Sequence, residues 1–375
     1  VKLDWLKDVA LDPGPHVSVY MDATRDRETS AHDVDVRWQD ARAGLSGQGA
    51  PEPALAALDA VATEPTGVGG PVGRAMLASA DGLELHLLLP GPPLREEASA
   101  GPVPHLMPLV RSLADDVRYV LVELDRAGAD LTVARSDAVE SPQKLSVEGG
   151  HDLLHKVPGG GWAALRYQHA VQDSWDHNAA AVAAELDALV RREKPEVVLL
   201  TGDVKAGAAL RSKATPAVLD LLVEVQGGSR AAGTHEKAFA AAVAQALDAV
   251  RARRRQTVLD EFTQERGRGG RAVEGLAAVV AALRQGQVAT VLLLDDPSST
   301  AQLWTGAGPL EIATTEEDLR AMGVEGGARV RADAVLVRAL AASDAGIELV
   351  PVPDEDGAPP LVSMAEGIGA VLRYA

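Results

Sequence analysis

His155-Lys156-Val157-Pro158-Gly159-Gly160-Gly161-Trp162 is the stretch on which the reading of the chain turns. Three consecutive glycines after a proline hold no regular structure, because glycine loses the most backbone freedom on ordering. Ala163-Ala164-Leu165-Arg166-Tyr167-Gln168-His169 follows. The pattern from Ala170 to about Arg192 then predicts one long helix. Its start is acidic (Asp173, Asp176) and its end basic (Arg191, Arg192, Lys194), as the helix dipole favours, and Pro195 stops it. A glycine loop before such a helix is either a slack connector or a backbone that must approach something closely.

Working outward, Tyr119–Leu124 predicts a strand, Asp130–Ala134 its hairpin partner across Arg126-Ala127-Gly128, and Val197–Leu200 a short buried strand. Ala206–Ser212 and Pro216–Leu222 predict short helices. Thr234 predicts the cap of a long helix running past Arg251-Ala252-Arg253-Arg254-Arg255 to about Glu265. On the N-terminal side, His16–Asp22 alternates as a strand, and Val34–Leu45 and Ala54–Ala62 predict helices. Arg74–Ala80 and Leu83–Leu89 flank the hairpin signal Asp81-Gly82, and a helix follows over Leu106–Leu113. On the C-terminal side, helices are expected over Ala272–Leu283, Thr315–Met322 and Ala332–Ala342. Strands are expected over Val288–Leu294, Leu303-Trp304, Ile347–Val350 and Ile368–Tyr374. Strands separated by helices argue an α/β (α+β) chain of three domains: 1–115, 116–255 with the glycine loop at 155–169, and 256–375.

With 46% hydrophobic and 24% charged residues among 375, the chain is globular. It has no cysteine, so disulfides, Cys-ligated zinc and a thiol nucleophile are excluded, and a reducing compartment is the expectation. Val1–Ala10 carries Lys2, Asp4, Lys7 and Asp8 and does not read as a signal peptide. No apolar run approaches the roughly 18 residues of a bilayer span. A cytoplasmic protein without a membrane is expected. The net charge of −18 argues against DNA and against indiscriminate nucleic-acid binding. Yet the three domains carry −8, −1 and −9, and half of all Lys and Arg lie in the middle one.

His151-Asp152-Leu153-Leu154-His155 has the i, i+4 spacing of a metal face. Gly149-Gly150 before it and Pro158 after it leave too short a helix, so no metal and no cofactor are expected. His155, Lys156, Trp162, Arg166, Gln168 and His169 form a different mixture of cations, stacking rings and an amide, which suits phosphates and unpaired bases of RNA. Gly267-Arg268-Gly269-Gly270-Arg271 looks like a phosphate turn but follows a helix rather than a strand. A helix–helix junction is the expectation there. The Arg251–Arg255 run reads as a solvated helix face. No Gly-x-Ser-x-Gly occurs, and no catalytic nucleophile is expected.

Three features together resemble the archaeo-eukaryotic peptide-chain release factor family. They are the glycine loop before the long helix; Gly269-Gly270-Arg271-Ala272-Val273-Glu274-Gly275-Leu276 with Ala282-Leu283 and Gly286-Gln287-Val288-Ala289-Thr290-Val291-Leu292-Leu293; and the ending Gly367-Ile368-Gly369-Ala370-Val371-Leu372-Arg373-Tyr374. The resemblance is to the actinobacterial branch, with Balon-type ribosome hibernation factors among its relatives. It covers the middle and C-terminal domains better than the first. It implies a ribonuclease-H-like middle domain and a ribosomal-protein-L7Ae-like α/β/α C-terminal domain. In release factors the loop carries Gly-Gly-Gln, whose glutamine positions a water at the peptidyl-tRNA ester. Here Gly159-Gly160 is followed by Gly161 and Trp162.

The resulting expectation is a non-catalytic stress or hibernation factor that mimics tRNA or a release factor in the ribosomal A site. Gly159, Gly160, Gly161 and Trp162 would reach the RNA, with His155, Lys156, Arg166, Gln168 and His169 flanking them. Elongation factor Tu or another translational GTPase is an implied partner. Two alternatives remain open at this point: a peptidyl-tRNA hydrolase or rescue factor using Gln168, and a protein-interaction module without RNA contact.

Overall fold

The computed structural model describes residues 1–26, 30–125, 127–137, 143–148, 162–228, 236–352 and 361–374. Two compact units are formed, Asp116–Arg254 and Val1–Asp115 together with Arg255–Ala375.

The first segment runs α1 (Lys7–Leu11), β1 (His16–Asp22), α2 (Ser30–Gly47), α3 (Glu52–Asp59), β2 (Gly73–Ser79), β3 (Gly82–Leu89), β4 (Glu97–Gly101) and α4 (Met107–Leu113). Its sheet has the order β3-β2-β1-β4, with every pairing antiparallel. β4, Glu-Ala-Ser-Ala-Gly, has no β-branched residue and no strand signal in sequence. Pairing with β1 recruits it. Val17, Val19 and Met21 of β1 pack under Val34, Trp38, Leu45, Leu55 and Leu58 of α2 and α3. On the opposite face Tyr20 joins Leu106 and Leu109, and also Val279, Val335 and Leu340 of the C-terminal segment. The segments 1–115 and 255–375 therefore share one core. The buried Tyr20 hydroxyl donates to the His105 carbonyl at 2.7 Å, and burial pushes its pKa well above the ordinary phenol value.

In the middle unit come β5 (Arg118–Leu124), β6 (Gly128–Arg135), β7 (Gln143–Glu148), α5 (Trp162–Glu193), β8 (Val197–Gly202), α6 (Val204–Lys213), α7 (Pro216–Leu219), β9 (Leu222–Glu224) and α8 (Glu236–Gly267). The sheet order is β7-β6-β5-β8-β9. β5, β6 and β7 are antiparallel, and β8 and β9 add in parallel. Three antiparallel strands continued by two parallel ones is the ribonuclease-H-like arrangement. Val182, Leu186 and Leu189 of α5 cover Val120, Val122 and Leu131, while Leu247 and Val250 of α8 cover Val197 and Leu199. A sheet covered on both faces explains the unbroken apolar run Val197–Leu200. The helix expected over Pro216–Leu222 ends at Leu219, because Leu222 pairs with Val198 at the sheet edge.

The last segment comprises β10 (Ala272–Glu274), α9 (Leu276–Arg284), β11 (Val288–Asp295), β12 (Gln302–Thr305), β13 (Ile312–Ala313), α10 (Glu316–Ala321), β14 (Ala328–Arg331), α11 (Ala332–Ala342), β15 (Gly346–Pro351) and β16 (Ile368–Leu372). Its sheets are β10-β16-β11-β15 and β13-β12-β14. α9 and α11 pack on one face of the larger sheet, and Leu259 and Phe262 at the end of α8 pack on the other, an α/β/α layering. The helix expected from Ala272 starts only at Leu276, because Ala272 and Val273 pair with Val371 and Ala370 of β16. Gly369 in β16 lies so close to the Phe262 ring that a Cβ would stand 2.7 Å from it.

Two ionic groups lie inside this unit. Arg338, 2% exposed, donates to the carbonyls of Ala10 (3.0 Å) and Ala307 (2.7 Å). Asp333 accepts two bonds from Arg331, at 3.0 and 2.5 Å. Burial works against the Asp333 carboxylate. The His105 imidazole, 3.7 Å away and too far for a hydrogen bond, and the Arg331 guanidinium outweigh burial and hold its pKa well below the usual range.

Candidate functional site

The glycine loop joins β7 to α5. His155, Lys156, Gly159, Gly160 and Gly161 lie outside the described residues, as does the His151/His155 pair. Trp162, Arg166, Gln168 and His169 lie within α5. The helix thus begins at Trp162 rather than near Ala170, and Trp162 opens the helix rather than closing the loop. Ala163, Ala164, Leu165 and Arg166 are strong helix formers, and no glycine or proline follows Gly161 to interrupt them. Trp162, Arg166 and His169 are spaced by four and three residues, which places them on one helix face. Gln168 is six residues in, about 9 Å along the axis.

Strand register fixes the end of the sheet from which this connection leaves. Glu148, the last residue of β7, pairs with Gly128 at the β5–β6 turn. Gly202, the last residue of β8, pairs with Leu124 at the end of β5. The β7–α5 connection therefore starts at the carboxyl ends of β5 and β8, where α/β sheets carry their ligand loops. Asp125 Oδ1 accepts from the N–H groups of Ala127 (2.7 Å) and Gly128 (2.9 Å) and closes the hairpin there. Gly202 adopts a φ of 121°, and a Cβ on it would stand 1.8 Å from the Leu124 carbonyl oxygen, so the strand end admits no other residue. Asp203 Oδ1 accepts from the N–H groups of Lys205 (2.8 Å) and Ala206 (3.0 Å) and caps α6. Val204 beside it is 85% exposed. Val204 and Lys205 do not stand out in sequence. Gly202-Asp203 directly after an apolar strand was the available signal for a strand-to-helix turn at the sheet end.

Two sequence expectations about cations are corrected. The Arg251–Arg255 run is a solvated face only at Ala252 and Arg253; Arg251, Arg254 and Arg255 are half-buried. Within the middle unit Arg251 donates to Ser136 Oγ (2.9 Å), Asp137 (3.3 Å) and Asp248 (2.7 Å). Arg254 donates to the Asp116 carbonyl (3.3 Å) and Glu196 (3.4 Å). In the other unit Arg255 meets Asp115 at 3.3 Å and stands 3.4 Å from the buried Glu348 carboxylate. Gly267–Arg271 is a helix-to-strand turn, not a helix–helix junction, since α8 ends at Gly267 and β10 begins at Ala272. The Glu265 carboxylate accepts the Arg271 N–H at 3.0 Å. That bond, and then the Arg271 guanidinium, lower its pKa. Among the described residues no His, Asp or Glu group is arranged to hold a metal ion, and no helix is long and apolar enough to cross a membrane.

The middle unit is thus an α/β unit of strand order β7-β6-β5-β8-β9 with a 32-residue helix after β7. Residues 118–268 match bacterial archaeo-eukaryotic release factor family 2, so this stretch is similar to the release-factor-like proteins of bacteria. Two uncharacterized proteins of Mycobacterium tuberculosis, from strains CDC 1551 and H37Rv, are each 28% identical over 376 residues, covering 100% of this chain and 96% of theirs. Among solved structures, an archaeal translation termination factor aRF1 is 16% identical over 99% of this chain and 97% of its own, with a TM-score of 0.23. Saccharomyces cerevisiae Dom34, a termination-like factor of RNA quality control that interacts with Hbs1, is 13% identical over 81% and 80%, with a TM-score of 0.36. Archaeoglobus fulgidus Pelota is 14% identical over 80% and 79%, with a TM-score of 0.32.

Proposed function

We propose that this protein is a ribosome-associated translation factor that occupies the A site in place of tRNA or a release factor and leaves the peptidyl-tRNA ester intact. One observation carries the reading. Inside the segment that matches the release factor family, Gly159-Gly160 is followed by Gly161-Trp162, and the next glutamine, Gln168, belongs to α5. A glutamine about 9 Å along a helix does not take the place of one that directly follows the glycine pair. The glycines keep the reach of the loop, Trp162 offers a stacking surface, and Lys156, Arg166 and His169 supply phosphate contacts, with His155 and Gln168 as further polar contacts. The protein acts in the cytoplasm as a stress or hibernation factor, and a translational GTPase such as elongation factor Tu docks on its C-terminal segment.

Sedimentation of extracts from growing and starved cells tests this. The protein is expected in the ribosome fractions after starvation, and its absence from them in both states overturns the reading. In a peptide-release assay on loaded ribosomes the protein is expected to release nothing. Release that disappears in Gln168→Ala would replace this reading with a hydrolase.

A further inference from the structure

The N-terminal sheet and its edge hold two arginines, Arg74 buried and Arg25 half-buried, that meet no carboxylate among the described residues. Arg74 on β2 is 1% exposed. Its Nη1 donates to the Val61 carbonyl and its Nη2 to the Glu64 carbonyl at 2.5 Å. Arg25, just beyond β1, donates through Nη2 to the Thr63 carbonyl at 2.5 Å. The Nε atoms of both arginines are buried and have no partner, and so is Nε2 of His86 on β3. Arg74 pairs with Leu88 and Met76 with His86 across β2 and β3, so Arg74 and His86 share one face of the sheet. The three groups also sense one another. Burial first, and Arg25 second, lower the Arg74 pKa; burial first, and Arg74 second, lower that of His86.

A purely structural role accounts for half of this. The three carbonyls belong to the turn that leaves α3, and cations suit a helix C-terminal end. That role uses the Nη atoms only. It leaves the two buried Nε donors without acceptors and the His86 Nε2 without a partner. The chain has 54 Asp and Glu residues, yet the acid that acts on Arg74 and His86 is the exposed Glu64, through charge alone.

The loop Thr66-Gly67-Val68-Gly69-Gly70 lies between the two arginine contacts. Its leading end is the Glu64 carbonyl that Arg74 holds. Its trailing end is Val72, whose N–H donates to Oγ1 of Thr24, the neighbour of Arg25, at 3.1 Å. Gly67 and Gly70 take φ values of 70° and 87°, and nothing stands within 4 Å of where a Cβ would sit on Gly67, Gly69 or Gly70. Glycine backbone in such turns presents N–H groups to an anion, and guanidinium groups match oxyanions bidentately.

We propose that Arg25, Arg74 and His86, together with the glycine loop at 66–70, form a binding site for a phosphate-type oxyanion. The ligand is a phosphate group, carried either by an RNA backbone or by a free phosphorylated compound. The site is separate from the glycine loop of the middle unit, so it stands or falls independently of the A-site reading.

The test is thermal unfolding of the full chain as inorganic phosphate replaces chloride at constant ionic strength, with circular dichroism to confirm that the variants fold. A saturable rise in Tm is expected, with affinity about tenfold weaker in Arg25→Gln and in His86→Ala. A general salting effect would be the same in wild type and variants. Binding of a labelled single-stranded RNA separates the two sources. RNA displaced by phosphate and weakened by Arg25→Gln identifies a backbone phosphate. Saturable phosphate binding with RNA unaffected by Arg25→Gln identifies a free phosphorylated compound. Absence of a phosphate-specific shift in wild type, or a shift unchanged in both variants, overturns the proposal.

Discussion

Two sets of arginines in this chain look opposite in sequence and behave opposite in the fold. Arg251, Arg254 and Arg255 lie in one dense run, and each meets carboxylates: Asp137 and Asp248, Glu196, and Asp115 with Glu348. Arg25 and Arg74 are far apart in sequence, draw no attention there, and come together over three carbonyls with no carboxylate among the described residues. A charge run in an acidic chain attracts its counter-ions during folding and is consumed by them. An arginine pair that the fold holds against backbone carbonyls keeps its charge for a ligand. The visible basic motif is thus the poorer guide to anion binding.

The largest effect should come from Arg74→Ala. It takes the donor from the Val61 and Glu64 carbonyls of the turn after α3 and empties a buried position in β2, and a loss of about 3 kcal/mol in urea unfolding is expected. A loss below about 1 kcal/mol would mean that the pair has no structural share and exists for its ligand alone. Next comes Arg255→Ala, which strips the buried Glu348 carboxylate of its cation. About 2 kcal/mol is expected, with part of it recovered when Glu348→Gln is added.

Acid probes a third arginine, Arg331, through its partner Asp333. The carboxylate of Asp333 is held below its ordinary value, so the unfolded chain takes up that proton first as pH falls. Its share of stability is complete above about pH 4 and is lost progressively below that, and Asp333→Asn should flatten this limb in an acid titration followed by circular dichroism. The contacts of Arg25 and Arg74 to carbonyls have no such limb. The smallest effect should be that of Arg191→Ala, an exposed i, i+4 pair with Asp187. Under about 0.5 kcal/mol is expected in urea unfolding, shrinking further in high salt.

Legibility followed burial and length. His16–Asp22 and Ala332–Ala342 stand in the structure with the bounds read from sequence, because each is a long element with an unambiguous apolar period. β4, β7, β9 and β10 were invisible, being short edge strands built from Ala, Ser, Glu and Gln as well as Val and Leu. Each exists because a neighbouring strand offers unpaired N–H and C=O groups. The glycine loop was visible through composition, but the start of its helix was misplaced, since the loop's polar and aromatic neighbours masked a good helix-forming run. The Arg25 and Arg74 pair carried no local signal at all.

Local sequence determined the punctuation of this protein: the glycine tract ahead of a long helix, Gly161-Trp162 after Gly159-Gly160, and the hairpin at Asp81-Gly82. These depend on φ/ψ preference and on side chains a few residues apart. Only the tertiary structure decided that 1–115 and 255–375 share one core, that β7 leaves the sheet beside Leu124 and Gly202, and which arginines meet carboxylates. Those outcomes depend on which surfaces meet, and pairing energies between residues tens to hundreds of positions apart leave no trace in a local pattern.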